Sequence, residues 1–166
     1  EHGAKIIDVG CGAGFPGLPL LIAREDFDVT FLDSIQKKLK FIDDVLENTA
    51  LFGTTVHGRA EDFGNNPEFR EAYDYAFTRA VAPLNVLAEY CLPFVKTGGL
   101  YVSMKGADDE TETGKNAINI LGGKIEDVVS FKLSNGDSRN LIIIRKVSQT
   151  SPKYPRKAKK IAGAPL

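Results

Sequence analysis

The apolar positions of this chain fall into short unbroken runs separated by longer stretches with helical spacing, and that alternation predicts its elements. Residues 5–9 are apolar enough for a strand buried on both faces. A glycine-rich turn separates them from a first helix at 18–23, where Pro19 sits in the opening turn that lacks N–H partners anyway. A second strand at 29–32 ends on Asp33, and Ile35, Leu39, Ile42 and Leu46 then recur on one face of a longer helix. A third strand occupies 54–57 between Gly53 and Gly58, and a loop with Asn65, Asn66 and Pro67 follows. The Tyr73–Thr78 run is a fourth strand that delivers Arg79 at its carboxyl end. Pro83 opens an apolar helix carrying Leu84, Leu87, Cys91 and Leu92, which a Gly98-Gly99 turn closes. A fifth strand at 100–104 leads through Lys105-Gly106 to a polar helix at 108–121, whose acidic start suits a helix N-terminus. Residues 125–133 and 140–146, joined through Asn135-Gly136, read as an antiparallel hairpin.

Strands alternating with helices give an α/β fold with a mostly parallel sheet, whose ligands sit at the carboxyl ends of the strands near the topological switch point. The stretch that opens this pattern is Asp8-Val9-Gly10-Cys11-Gly12-Ala13-Gly14-Phe15-Pro16-Gly17. Glycine there permits positive φ and close approach of a ligand, and the following helix offers unpaired N–H groups. A nucleotide-like cofactor is therefore expected against Gly10, Gly12 and Gly14. Gly12, Gly14 and Gly17 also satisfy the dinucleotide fingerprint, a weak signal alone.

Two features weigh against a dinucleotide. A hairpin that closes a seven-stranded sheet with one antiparallel strand is similar to the Rossmann-like fold of class I S-adenosylmethionine-dependent methyltransferases. Asp8, at the tip of the first strand, matches the acidic residue of their first motif, near the cationic end of S-adenosylmethionine. Asp33 stands where a carboxylate accepts hydrogen bonds from two ribose hydroxyls, a role common to both folds, and it can equally cap the following helix. Ala60 and Glu61 occupy the position after the third strand that contacts the adenine edge in those methyltransferases.

Composition narrows the class. With 166 residues, 43% hydrophobic and 26% charged, the chain reads as one soluble domain with a sizeable core. No apolar run approaches the roughly 18 residues of a membrane helix, and no signal-peptide order opens the chain, so a cytoplasmic protein with no membrane partner is expected. Cys11 and Cys91 lack metal-ligand spacing and read as reduced structural thiols. With only two histidines, His2 and His57, no metal site is expected. Residue 1 is glutamate and a core strand begins a few residues later, so an N-terminal segment is expected to be missing.

Charge is distributed unevenly. Residues 1–144 hold all 22 acidic side chains against 14 Lys and Arg, a net charge of −8, whereas seven basic and no acidic residues follow from Arg145. Residues 1–147 are read as the enzyme domain, and 148–166, with Pro152, Pro155 and Pro165, as a basic flexible tail. Lys153, Arg156, Lys157, Lys159 and Lys160 suit an arm that contacts nucleic-acid phosphates, with Tyr154 available to stack on a base. The same composition fits a merely solvated terminus.

The segment after the fourth strand, Thr78-Arg79-Ala80-Val81-Ala82-Pro83, belongs to the substrate side. It has no Asn-Pro-Pro-aromatic tetrad to orient an exocyclic base amine, and Asn66-Pro67-Glu68-Phe69 precedes the strand instead of following it. Attack through C5 of a pyrimidine needs a cysteine beside the base. Cys11 faces the cofactor turn and Cys91 lies in an apolar helix. What remains is an acceptor that is already nucleophilic, such as guanine N7, for which alignment and exclusion of water suffice. Arg79 and Lys105 are the positioning candidates, Arg79 for bidentate recognition of a carboxylate, phosphate or purine edge, and Lys105 for an RNA phosphate.

Taken together, the 8–17 turn, Leu32-Asp33-Ser34 with Lys37-Lys38, Arg59-Ala60-Glu61, Thr78-Arg79-Ala80-Val81-Ala82, Lys105-Gly106 and the 153–157 stretch Lys-Tyr-Pro-Arg-Lys closely resemble the RsmG (GidB) family, the small-subunit ribosomal RNA methyltransferase G proteins. The resemblance runs nearly the whole chain and is most specific at Phe15-Pro16-Gly17. It implies methylation of guanine N7 in 16S rRNA with S-adenosylmethionine, and cofactor contacts at Gly10, Phe15, Ala60, Glu61 and Arg79. The chain departs from the family pattern at residues 158–163 and at its start, where a helical segment is expected to be absent. A monomer acting on 16S rRNA or the small ribosomal subunit is expected. An NAD-dependent oxidoreductase and a non-catalytic RNA-binding or ribosome-assembly module are the alternatives.

Overall fold

A computed structural model describes residues 2–80 and 82–166. Glu1, on which the expectation of a missing segment rests, and Val81, in the substrate-side segment, lie outside the described residues. The strands are β1 (Lys5–Val9), β2 (Asp28–Asp33), β3 (Gly53–His57), β4 (Tyr73–Thr78), β5 (Val95–Lys105), β6 (Gly123–Lys132) and β7 (Ser138–Lys146). The helices are α1 (Gly17–Ala23), α2 (Gln36–Thr49), α3 (Ala60–Phe63), α4 (Leu84–Cys91), α5 (Thr111–Ile120) and α6 (Ala158–Gly163), with a 3₁₀ turn at Leu92–Phe94.

All seven strands join one sheet in the order β3-β2-β1-β4-β5-β7-β6. Strands β1 to β5 pair in parallel, and β7 runs antiparallel to both of its neighbours. This is the expected seven-stranded, mostly parallel sheet with a closing hairpin. The chain winds outward from β1 through β2 to β3, then resumes on the other side of β1 with β4. A crevice therefore opens at the carboxyl ends of β1 and β4, where α/β folds bind ligands.

The period-two alternation of the central strands splits the core between the two faces of the sheet. Ile6, Val29 and Phe31 pack beneath α1 and α2 with Leu39 and Ile42, while Ile7, Leu32 and Ala76 pack on the other face with Leu87, Ile118 and Ile144. In α2, buried Leu39, Ile42 and Leu46 alternate with exposed Lys37, Lys38 and Lys40, as helical spacing requires.

Several boundaries differ from expectation. Ile35 does not join the apolar face of α2: it occupies the N-cap, 48% exposed, and the helix begins at Gln36. Gly98-Gly99 is not a terminating turn. It lies inside β5, where a Cβ on Gly99 would stand 2.5 Å from the Asp74 carbonyl, so glycine there lets β5 approach β4 across an irregular register between Tyr73 and Tyr75. The stretch after β3 contains the short helix α3, and α5 starts at Thr111 because Asp109 accepts the Thr111 N–H at 2.9 Å and ends the loop there.

The largest departure lies in residues 148–166, expected to be a flexible tail. This segment is packed. It crosses α4, with Tyr154 and Ile161 buried and Thr150 donating its hydroxyl to Leu121 O at 2.7 Å. Arg70 reaches the carbonyls of Gly64, Thr150, Ser151 and Tyr154 from one guanidinium. The Arg156 guanidinium meets the fully buried Glu89 carboxylate at 2.6–3.1 Å. A composition rich in lysine and proline hid these anchors, because the partners that compensate them lie 29 to 84 residues earlier in the chain. Nor are all seven cations of this end free. Lys146 is fully buried among Glu71 Oε1, Leu92 O and Val95 O at 2.8–3.0 Å, and Arg145 pairs with Glu126.

Candidate functional site

The glycine turn is built on Asp8 and β2. Asp8, fully buried at the end of β1, accepts the Gly17 N–H on Oδ2 at 2.9 Å, which ties the strand to the first residue of α1. Gly17 permits this closeness, since a Cβ there would lie 2.4 Å from the Phe31 ring and 3.0 Å from Asp8 Oδ2. Burial pushes the Asp8 carboxyl up to about 7, against the pull of the Gly17 N–H and the Arg79 charge. Its Oδ1 is buried without a hydrogen-bond partner.

Asp33, at the tip of β2, holds the other side of the turn. Its Oδ2 accepts Gly12 N–H at 3.0 Å and its Oδ1 accepts Ile35 N–H at 2.9 Å, with Lys38 Nζ 3.7 Å away. The carboxylate thus organises the loop before α2 while facing a cavity of about 230 Å³. Gly10, Asp33, Ala60 and Glu61 all line that cavity, at the carboxyl ends of β1 to β4. Gly10 has φ +69° and its missing Cβ would meet no atom within 4 Å, so the turn leaves open space beside its backbone. Glu61 is not a solvated loop carboxylate: it is 7% exposed in the first turn of α3, 3.8 Å from the Arg59 guanidinium.

Other expected residues stand at the margin. Asp8 lies beneath the turn and does not line the cavity; Gly12 and Gly14 shape the turn at φ +59° and +87°. Phe15 and Arg79 meet each other, the guanidinium 4.9 Å from the centroid of the 45%-exposed ring. Arg79 also lines a second cavity on the β5–β7 side.

Lys105 does not serve as a free cation. It is buried, donates from Nζ to Ala82 O, and pairs with Glu110 Oε2 at 3.0 Å, the same oxygen that accepts Leu84 N–H at the start of α4. An RNA phosphate would have to displace that carboxylate. Tyr154 is likewise unavailable for stacking, being 8% exposed beneath Lys153 and Arg156.

Sequence reasoning missed the apolar half of the first cavity. Leu87 and Tyr90 of α4 face Leu32 and Val9 across it, with Thr78 and Ala80 between. Their helical spacing announces a buried face without distinguishing a core from a ligand wall. Neither cysteine offers a nucleophile: Cys11 and Cys91 are buried, and burial raises both thiols, Cys91 to about 12. Among the described residues, no three His, Cys, Asp or Glu side chains cluster as a metal site requires, and no helix is long and apolar enough to cross a membrane.

The strand order, the closing antiparallel strand and the crevice beside β1 define the fold of the class I methyltransferases. Solved structures of that fold superpose well at low identity. Geranyl diphosphate C-methyltransferase from Streptomyces coelicolor A3(2), solved with S-adenosyl-L-homocysteine, gives a TM-score of 0.69 at 12% identity over 87% of this chain and 73% of its own. The [4+2]-cyclase SpnF gives 0.71 at 14% identity over 89% and 76%. A cyclase on the same scaffold shows that the fold does not fix the reaction.

Relatedness in sequence is more specific. The family described as rRNA small subunit methyltransferase G, or GidB, matches residues 1–143, and the chain belongs to it. The ribosomal RNA small subunit methyltransferase G of Acetivibrio thermocellus is 51% identical over 169 residues, covering 100% of this chain and 70% of that protein. The protein of the same name from Alkaliphilus oremlandii is 48% identical over 166 residues, covering 98% and 70%.

Proposed function

We propose that this chain transfers the methyl group of S-adenosylmethionine to N7 of a guanine in 16S rRNA, binding the cofactor in the cavity beside Gly10. The observation that carries this reading is the open space at Gly10, where a side chain would occupy the cradle, directly beside a carboxylate already oriented by two backbone N–H groups. Each Asp33 oxygen retains acceptor capacity, which suits the two hydroxyls of a ribose. Glu61 and the first turn of α3 supply acceptors for an adenine edge, and Leu87 and Tyr90 give its ring an apolar wall. The family to which the chain belongs supports the ribosomal RNA as substrate.

When bound, S-adenosylmethionine supplies a methyl carbon made electrophilic by the sulfonium. Guanine N7 carries a lone pair and no proton, so forming the N–C bond as the C–S bond breaks requires no base from the protein. That agrees with a site whose cysteines are buried and protonated. The protein's task is alignment in a water-poor crevice. Arg79, held over Phe15, sits between the two cavities and orients the approaching RNA by its charge.

The packed C-terminal segment gives that RNA a fixed docking ridge. Lys153, Lys157, Lys159 and Lys160 are exposed on it, and Asn85 at the start of α4 bonds Leu166 O at 3.4 Å, which brings the segment to the edge of the sheet that carries the cavities. Small ribosomal subunits from cells lacking the modification, incubated with the protein and labelled cofactor, should gain 7-methylguanosine on digestion of their RNA. Cofactor binding without any transfer would instead identify a non-catalytic module.

A further inference from the structure

We propose that the second cavity receives the target nucleobase and that Phe131, on the closing hairpin, is the surface on which the base stacks. The assignment rests on the functional reading above. The cavity, of about 580 Å³, shares Ala80 with the cofactor cavity, so that two ligands seated in them meet across the tip of β4. One wall is apolar, built from Met104, Leu141, Phe131 and Leu133, and Arg79 and Arg139 stand on it.

Phe131 is 40% exposed on β6, the edge strand of the sheet, and with Leu133, equally exposed, it forms an apolar patch that continues into the cavity. Its cross-strand partner is Arg139, which places a cation beside the ring on the same face. Arg139 is held by Asp137 at 3.1 Å and by its own Nη1 donating to Ser138 O at 2.8 Å. No carboxylate lines the cavity among the described residues, and Lys105 at its back is neutralised by Glu110. Arg79 forms no ion pair among the described residues, leaving its charge for a phosphate at the mouth. An aromatic face, an apolar floor and the Arg79 guanidinium at the rim are the chemistry of a flipped nucleotide: base on ring, phosphate on guanidinium.

The chain contains no tryptophan, so Phe131→Trp introduces a single indole. With S-adenosylhomocysteine present, 16S rRNA should quench its emission saturably, whereas Val129→Trp, equally exposed on the same strand but outside the cavity, should respond little. In steady-state methylation of small subunits, Phe131→Ala should raise KM by roughly tenfold, the scale of one lost base stack, while Phe131→Tyr restores it and Kd for S-adenosylmethionine stays within about twofold. Equal quenching at positions 129 and 131, or an unchanged KM in Phe131→Ala, overturns the assignment. Selective quenching without any methyl product keeps the nucleobase cavity and overturns the methyl-transfer reading. Methyl transfer without selective quenching does the reverse.

Discussion

The ion pair between Arg156 and Glu89 offers a quantitative test of how the C-terminal segment is held. Glu89 is fully buried in α4, and its two oxygens receive Arg156 Nε and Nη2 at 2.6–3.1 Å together with the Arg156 backbone N–H at 2.8 Å. Replacing the guanidinium by an apolar chain, Arg156→Met, leaves a carboxylate in the interior with one backbone donor. Breaking a buried pair from one side costs about 3–5 kcal/mol. Urea denaturation should therefore find Arg156→Met less stable by roughly 3–5 kcal/mol at pH 7, equivalent to about 6–20 °C in Tm for a chain of this size. Adding Glu89→Gln keeps an acceptor for the Arg156 N–H and removes the charge, so the double variant should recover most of the loss. A single variant within about 1 kcal/mol of wild type at pH 7, or a double variant as unstable as the sum of the two singles, would refute the reasoning.

Other consequences are open to direct measurement. The Asp8 carboxyl is raised to about 7 in the folded chain, so the native state binds more protons than the unfolded one between pH 4 and 7, and this group's contribution to stability is lost as pH rises through that window. Asp8→Asn, which keeps an acceptor for Gly17 N–H, should remove up to about 4 kcal/mol of the pH dependence of the unfolding free energy between pH 4 and 8, measured by urea denaturation; an unaltered pH profile would count against it. Gly10→Ala should cost only about 1–2 kcal/mol of stability, from its positive φ, yet weaken S-adenosylmethionine binding by more than roughly tenfold in calorimetry, because the new methyl enters the cradle. Replacing Lys157, Lys159 and Lys160 together by Gln should leave Tm and cofactor affinity unchanged while reducing the slope of log affinity for RNA against log salt by about 0.7 to 0.9 for each phosphate no longer neutralised. An unchanged slope would assign those lysines to solvent.

The alternation of apolar runs with helical spacing is enough to read the topology, because β1 and β2, buried on both faces, stand out as apolar runs between amphipathic helices. The first motif was equally legible: Asp8, the glycines and Asp33 act within one βαβ unit, so their spacing in sequence is their geometry in space. Legibility failed where a charge is compensated by a partner that the pattern does not announce. Lys105 reads as a strand-end cation until Glu110 is found on it, and Arg156 reads as an arm until Glu89 is found beneath it, 67 residues earlier. Tyr90 and Leu87 were invisible for a different reason: a helix face that lines a ligand cavity has the same period as one that fills a core. Removing residues from Ser151 onward, which a flexible tail invites, would instead uncover Glu89, Arg70 and the Ile161 site, so charge replacement is the informative perturbation.

The strand order carries a consequence for the making of the chain. β7 enters between β5 and β6, which precede it in sequence, so a polypeptide emerging amino end first holds β5 as a bare hydrogen-bonding edge and β6 without a place in the sheet until residue 146 has left the exit tunnel. Glu89 and Arg70 must wait longer still, for residues 150–156. The nascent protein thus carries an open sheet edge and an uncompensated acid until those residues emerge, an interval in which such edges recruit other strands. Residues 150–156, a stretch whose composition looks least structural, are accordingly the ones on which the compensation of Glu89 and Arg70 waits.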